Sequence, residues 1–321
     1  MPEKIVVADR LGAAGLEMLR ALPGYEVVET AGKGPQALDA ALDEAVALVV
    51  RSETKVTAAM IAKAPKLRVI ARAGMGVDTI DVDEASRRKI PVLTAPGANS
   101  NSVAEYTFAL LLALARKIAP ASASLAAGKW DRKSFEGSEL RGKTLGLIGL
   151  GRIGTRVASI AKGFGMTVVG HDPGVSAEQG EALGIDLVPL NSLLQRADAL
   201  SLHAKLTPQS RHLLDDARLA VVKKGVLIVN TARGALIDDA ALARALAEGR
   251  VGGAALDVYE AEPLPADSVL RTAPNLLLTP HLAASTQEAQ TRVATEIASA
   301  LSDALLRKDF NAAVNRAALS A

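Results

Sequence analysis

Short aliphatic and β-branched runs alternate with Ala- and Leu-rich stretches along the whole chain. The first runs are Lys4–Ala8, Tyr25–Glu29, Ala47–Val50, Arg68–Ala71 and Val92–Leu93. A second series follows at Thr144–Ile148, Thr167–Gly170, Ala199–Leu202, Val226–Val229, Gly253–Leu256 and Leu276–Leu278. Strand, helix, strand, repeated in this way, predicts parallel α/β architecture. Eleven strands exceed one ordinary open sheet, so the pattern predicts two sheets.

Two stretches open on capping-box sequences, in which a Ser oxygen caps an early N–H and a Glu reaches back. Ser102-Val-Ala-Glu105 predicts a helix to about Lys117, and Ser285-Thr-Gln-Glu288 a helix to about Leu306. The first would carry the chain from a terminal domain into a central one and the second would carry it back, leaving the terminal domain discontinuous. Phe310–Ala321 reads as a short tail.

Composition fits this picture. Hydrophobic residues make up 49% of the 321 positions and aromatics only 2%, so the core must be aliphatic, as in helix-covered parallel sheets. The formal charge of +2 comes without a long basic run, which gives no sign of nucleic acid or an anionic membrane as partner. The absence of cysteine excludes disulfides, thiolate metal sites and cysteine nucleophiles. The longest apolar stretch, Phe108–Ala115, is far short of the ~20 residues of a membrane span. The charged start, Met1–Arg10, does not read as a signal peptide, and a cytoplasmic enzyme is the expectation.

Gly149, Gly151 and Gly154 form G-x-G-x-x-G directly after the run Thr144–Ile148 and before a helical stretch from Arg152. The first glycine permits a tight turn, the second lets backbone approach a pyrophosphate, and the third lets helix pack on strand. The helix N-terminus then offers N–H groups and a positive dipole end to the phosphates. The next strand runs to Asp172, 18 residues past Gly154. A carboxylate there can accept both ribose hydroxyls of adenosine and repels a 2′-phosphate, which favours NAD over NADP.

In open α/β sheets ligands bind beyond the carboxyl ends of the strands. The residues there are Arg51, Arg72, Asp172, His203, Arg233, Asp257, Glu262 and His281. Hydride transfer to a ketone needs a proton donor, and histidine suits neutral pH. Of four histidines, His171 abuts Asp172 on the adenosine side, His212 lies in a polar loop and reads as solvated, and His203 borders the adenine crevice. His281, at the end of the last strand, is the preferred acid–base. Arg233, in the turn Thr-Ala-Arg-Gly-Ala, is suited to a substrate carboxylate. A carboxylate partner for the histidine would be Glu262 or Asp257, and sequence physics does not choose between them.

These stretches resemble the D-isomer-specific 2-hydroxyacid dehydrogenases over essentially the whole chain. The likeness is carried by Val-Arg-Ser-Glu-Thr-Lys-Val (50–56), Arg-Ala-Gly-Met-Gly-Val-Asp (72–78), Gly-Lys-Trp-Asp-Arg-Lys (128–133) and the glycine motif with its strand (142–154). It continues through Asn-Thr-Ala-Arg-Gly (230–234), Ala-Ala-Leu-Asp-Val-Tyr-Glu-Ala-Glu-Pro (254–263) and Thr-Pro-His-Leu-Ala-Ala-Ser-Thr (279–286). The resemblance implies an inserted Rossmann NAD-binding domain, residues 99–284. A discontinuous flavodoxin-like α/β substrate domain, residues 1–98 and 285–321, would complete the chain.

It also implies roles. Arg233 would hold the substrate carboxylate, with Glu262 paired to His281 as general acid–base. Asp257 would hold the nicotinamide carboxamide. Arg152, Ile153, Asp172, Ala204, Thr231, Ala232, Ala283 and Ala284 would contact NAD with the three glycines. Arg51, Ser52, Arg72, the backbone Ala73-Gly74-Met75-Gly76 and Asn99 would form the substrate wall. Arg132 would reach the substrate from a partner subunit in a homodimer.

Within the family the likeness is greatest to the branch that oxidises 3-phospho-D-glycerate. Other D-2-hydroxy acid reductases, acting on glyoxylate or hydroxypyruvate, and a corepressor-like NAD-sensing protein are the alternatives. Three positions depart from the common pattern: Ala204-Lys205 replaces a proline-containing pair, Met75 a smaller residue and Ala283 a glycine. The chain stops soon after residue 310, so the expectation is a short form without C-terminal regulatory domains.

Overall fold

The computed structural model describes residues 1–319 and divides into two compact units, Met1–Asn99 with the returning segment from Ser285, and Ser100–Ala284. The first unit carries strands β1 (Glu3–Val7), β2 (Tyr25–Glu29), β3 (Ala45–Val50), β4 (Val69–Arg72) and β5 (Val92–Thr94). They form one parallel sheet in the order β2-β1-β3-β4-β5. Because side chains alternate across a strand, Ile5, Val7, Ala47 and Val49 pack on one face with Val293, Ile297 and Leu301 of the returning helix. Val6, Leu48, Val50 and Ile70 pack on the other face with Leu42 and Ile61. Both faces are covered, which is why these strands read as unbroken apolar runs.

The second unit adds β6 (Thr144–Ile148), β7 (Thr167–His171), β8 (Asp186–Leu187), β9 (Ala199–Leu202), β10 (Val226–Asn230), β11 (Val251–Leu256) and β12 (Leu276–Leu278). These form a parallel sheet in the order β12-β11-β10-β9-β6-β7-β8, the doubly wound Rossmann arrangement extended by one strand. The order reverses between β6 and β9, so the exits of those two strands flank a crevice.

Local readings of the helix ends are corrected. The helix after β5 spans Ser100–Ala115, so Ser102 lies inside it, and its hydroxyl donates to Ala283 O at 2.7 Å instead of capping. This helix stops short of Lys117, which is left-handed (φ 51°), and a second helix, Ile118–Ala126, leaves at a bend of 63°. The returning helix is Gln287–Arg307; Thr286, not Ser285, is its cap, accepting from Ala289 N at 3.2 Å. The expected tail is folded onto β5: Thr94 N donates to Ala312 O, and buried Asn315 accepts from Val92 N at 2.9 Å. Among the described residues no single helix is long and apolar enough to cross a membrane.

Candidate active site

The glycine motif sits where the second sheet reverses. Gly151 precedes the helix Arg152–Gly163, and no side chain caps that helix, so its first N–H groups remain for an anion. A Cβ on Gly151 would meet open space, whereas one on Gly154 would lie 2.1 Å from Gly149 O. Gly154 is therefore fixed by packing, whereas nothing in the fold crowds Gly151, which leaves its backbone open to approach from outside as in a dinucleotide cradle. Ile153 packs into the core behind it. Asp172, just past β7, accepts Leu150 N at 2.8 Å and Gly174 N at 2.9 Å, so it holds the glycine loop and its own turn. Across the reversal, Ala204 N lies beside Gly149.

Histidine roles separate cleanly. His203 follows β9, with Nε2 2.8 Å from Ser201 Oγ and a buried Nδ1. Burial lowers its pKa to about 3, so this ring is neutral at physiological pH. His171 Nδ1 lies 3.1 Å from Val188 O. His212, expected to be solvated, is partly exposed and also paired: Nε2 lies 3.1 Å from Glu260, with Asp238 3.8 Å away on the other side of the ring.

His281 is the histidine held in an acid–base geometry. Its Nδ1 donates to Glu262 Oε2 at 2.8 Å, while Tyr259 N donates to Glu262 Oε1 at 3.0 Å. That leaves Nε2 as the nitrogen for a reacting oxygen. Hydrogen bonding to Glu262 raises the His281 pKa; burial opposes this, and the Glu262 and Asp257 charges add to it. Burial pushes Glu262 up, but the hydrogen bonds from His281 and Tyr259 N, with the positive charges of His281 and Arg233, leave it below the usual range. The choice between Glu262 and Asp257 that the sequence left open thus falls to Glu262.

Asp257 has a different task. It is fully buried at the end of β11. Its Oδ1 accepts Thr279 Oγ1 at 2.7 Å and Leu282 N at 2.8 Å, and its Oδ2 accepts Ala283 N at 2.8 Å. Both oxygens therefore face the loop that carries His281, itself in the left-handed region at φ 55°. Asp257 thus grips the His281 loop with both oxygens while closed to solvent.

Arg233 is positioned by the end of β10. Buried Asn230 accepts Ala232 N at 3.0 Å and donates to Arg233 O at 2.9 Å, which folds the turn through Thr231. The Arg233 guanidinium donates to Ala232 O at 2.7 Å. A Cβ on Gly234 would fall 1.9 Å from Tyr259 C, so only glycine lets the Arg233 turn lie against the strand of chain leading to Glu262. Tyr259 itself anchors that segment, its hydroxyl reaching Thr279 O at 2.9 Å and Leu256 O at 3.1 Å. Asn230, Tyr259 and Thr279 were not singled out from the sequence. Ala284 follows Ala283 at the end of this unit.

In the first unit, Arg51 and Ser52 leave β3, and Arg72 leaves β4 with its Nη1 on Ala73 O at 2.9 Å. The Gly74 carbonyl accepts Ala95 N at 3.0 Å, and Met75 is exposed beyond it. Asn99 has a buried Oδ1 with no hydrogen-bond partner among the described residues. Asp9, beyond β1, binds the turn after Arg51 and was not anticipated. In the second unit Arg132 lies on an exposed arm beside Trp130, after a helix, Ile118–Ala126, that buries none of its residues.

Comparison with known proteins agrees with this geometry. Residues 108–283 match the family described as D-isomer specific 2-hydroxyacid dehydrogenase, NAD binding domain. The chain is 49% identical over 303 residues to a D-3-phosphoglycerate dehydrogenase of Methanocaldococcus jannaschii, covering 94% of this chain and 57% of that protein. It spans a little over half the length of the curated relatives it matches. Among solved structures, the TT0316 protein from Thermus thermophilus is 37% identical with a TM-score of 0.88, covering 97% of this chain and 99% of that one. A glyoxylate reductase from Paecilomyes thermophila is 30% identical with a TM-score of 0.87, over 99% of this chain and 100% of that one.

Proposed function

From the membership of this chain in the D-isomer specific 2-hydroxyacid dehydrogenase family, we propose that it oxidises 3-phospho-D-glycerate to 3-phosphohydroxypyruvate with NAD, the first step of L-serine biosynthesis. The observation that carries the chemistry is the pair His281 Nδ1–Glu262 Oε2 at 2.8 Å, with Arg233 charged nearby. The choice of substrate is supported by the 49% identity to a D-3-phosphoglycerate dehydrogenase.

NAD, held at the glycine loop and Asp172, would supply the hydride acceptor for the C2 hydrogen of the substrate. Arg233 holds the substrate carboxylate and polarises the C2 oxygen through its planar fork. His281 Nε2 takes the hydroxyl proton, and Glu262 stabilises the imidazolium that results. Asp172 receives the adenosine ribose, and the N–H groups after Gly151 receive the pyrophosphate. Arg51 and Arg132 meet the phosphate of the substrate, with Ser52, Arg72 and Asn99 completing its wall. The chain acts as a homodimer joined through its second unit; the support is the set of large apolar side chains left exposed there, Ile118, Leu125 and Trp130.

The deciding experiment measures NADH formation with 3-phospho-D-glycerate and D-glycerate, and NADH consumption with glyoxylate and hydroxypyruvate, while light scattering reports the oligomeric state. A higher kcat/KM for the phosphorylated acid is the expected result. Preference for glyoxylate or D-glycerate would favour the sister activity suggested by the glyoxylate reductase likeness. NADH binding without turnover on any acid would point to a sensing role instead.

A further inference from the structure

The sheet order of the first unit, β2-β1-β3-β4-β5, reverses between β1 and β3. In such doubly wound sheets the exits of the two central strands part at the reversal and leave room for a ligand. Beyond β1 stands Asp9, only 4% exposed. Its Oδ2 accepts the backbone N–H of Arg51 and, at 3.2 Å, that of Thr54, while its Oδ1 accepts the Thr54 hydroxyl. The adjacent Arg10 carbonyl accepts from Arg51 Nη1 at 3.2 Å. Arg51 is thus held at its backbone by Asp9 and at its guanidinium by the next residue. Among the described residues no carboxylate pairs with that guanidinium, so its charge remains for an outside anion.

We infer that Asp9 is a positioning residue for substrate recognition: by closing the turn 51–54 onto the end of β1, it aims Arg51 at the anionic group of the substrate. This rests on the proposed function for the identity of that group. The physical reason is that a long arginine loses little freedom on binding only if its backbone and stem are already fixed. A buried carboxylate accepting three hydrogen bonds fixes a turn more firmly than neutral acceptors would. Asp9 touches no substrate atom in this scheme and acts only through Arg51.

The test compares Asp9→Ala, Arg51→Ala and the double variant in the full chain, using 3-phospho-D-glycerate and D-glycerate. An alanine accepts nothing from the turn, so Asp9→Ala should raise KM for the phosphorylated acid about tenfold or more. Its kcat, its use of D-glycerate and its NAD affinity should change by less than about threefold. Asp9→Asn, whose oxygen can keep both backbone N–H groups while its NH2 donates to the Thr54 hydroxyl, should restore most of the loss. In the Arg51→Ala background, Asp9→Ala should add nothing further, because coupled residues are not additive. Equal losses on both acids, or additive losses in the double variant, would overturn the inference. If wild type prefers D-glycerate, the substrate reading fails, and Asp9 is then judged by non-additivity with Arg51 on that acid. Should Asp9→Ala not fold, Thr54→Val, which removes one donor to the same carboxylate, should raise KM for the phosphorylated acid a few-fold in the same selective way; an unselective change would count against Asp9.

Discussion

Replacing Asp257 by Asn exchanges one oxygen for an NH2 in a side chain with no exposed surface. Three donors now converge on it: Thr279 Oγ1, Leu282 N and Ala283 N. The amide loses least by keeping its oxygen toward Thr279 and Leu282 and turning its NH2 toward Ala283 N. One buried N–H is then unsatisfied, at a cost of about 1–3 kcal/mol, and the two surviving bonds lose their charge, at about 1 kcal/mol each. The whole loss is roughly 3–5 kcal/mol, and it falls on the loop holding His281 in the left-handed region. An imidazole displaced by about 1 Å costs about 10²-fold in rate. We therefore expect kcat to fall about 10²-fold and the melting temperature to drop, with KM for NAD changed less than about threefold. The assay is steady-state oxidation at saturating acid with NAD varied, beside NADH titration and thermal melting. A near-normal kcat with a strongly raised KM for NAD would refute this account. It would put the main task of Asp257 at the nicotinamide carboxamide, as the family resemblance implies.

His281→Ala should lower turnover about 10²–10⁴-fold with NADH binding retained, measured by kcat and by fluorescence titration; undiminished turnover would remove His281 from the mechanism. Glu262 raises the His281 pKa, and oxidation needs the neutral ring, so wild-type oxidation should rise with pH through that raised pKa. In Glu262→Gln the ring loses its proton at lower pH, and the acid limb of the oxidation profile should move down; an unmoved limb would break the pair. Asp172→Ala should narrow the preference for NAD over NADP, with kcat/KM for NAD falling about tenfold or more. The ratio of the two cofactors is the measurement, because loosening of the Leu150 loop burdens both; equal use of both by wild type would point to Lys205 as a counter-charge.

Much of the fold was legible because burial on both faces leaves a plain trace. Eleven runs of aliphatic residues correspond to eleven of the strands, and the missing one, Asp186–Leu187, is too short to carry a pattern. Helix ends were less legible. Ser102-Val-Ala-Glu105 has the letters of a capping box, yet the helix begins at Ser100, and the Ser102 hydroxyl inside it donates 181 residues away to Ala283 O. Local sequence can propose a cap, but a distant carbonyl can take the same hydroxyl. The partners of His212 were hidden for the same reason: its polar neighbours suggest solvent, which it partly meets, but Glu260 and Asp238 come from other loops.

The site shows the limit most clearly in its three strand-end carboxylates. Asp9 beyond β1 holds backbone N–H groups of the turn after β3. Asp172 beyond β7 holds Leu150 N in the turn after β6. Asp257 beyond β11 holds two N–H groups after β12. In each case the donor belongs to the exit of the neighbouring strand in the sheet. The cause is common to parallel sheets. All strands end on one edge, where the chain leaves the ladder and its N–H groups lose their partners while still partly shielded from water. A carboxylate one or two residues past a neighbouring strand accepts two N–H groups at once, and the turn it freezes carries a group proposed above to act: Arg51, the glycine loop or His281. The residue type is visible in the sequence, and so is its place after a strand. Which turn it holds depends on strand order, and strand order is decided by packing between segments as far apart as Asp9 and Arg51. Motif reading therefore finds the groups that would touch ligand, whereas the groups that hold them still appear only once the sheet is assembled.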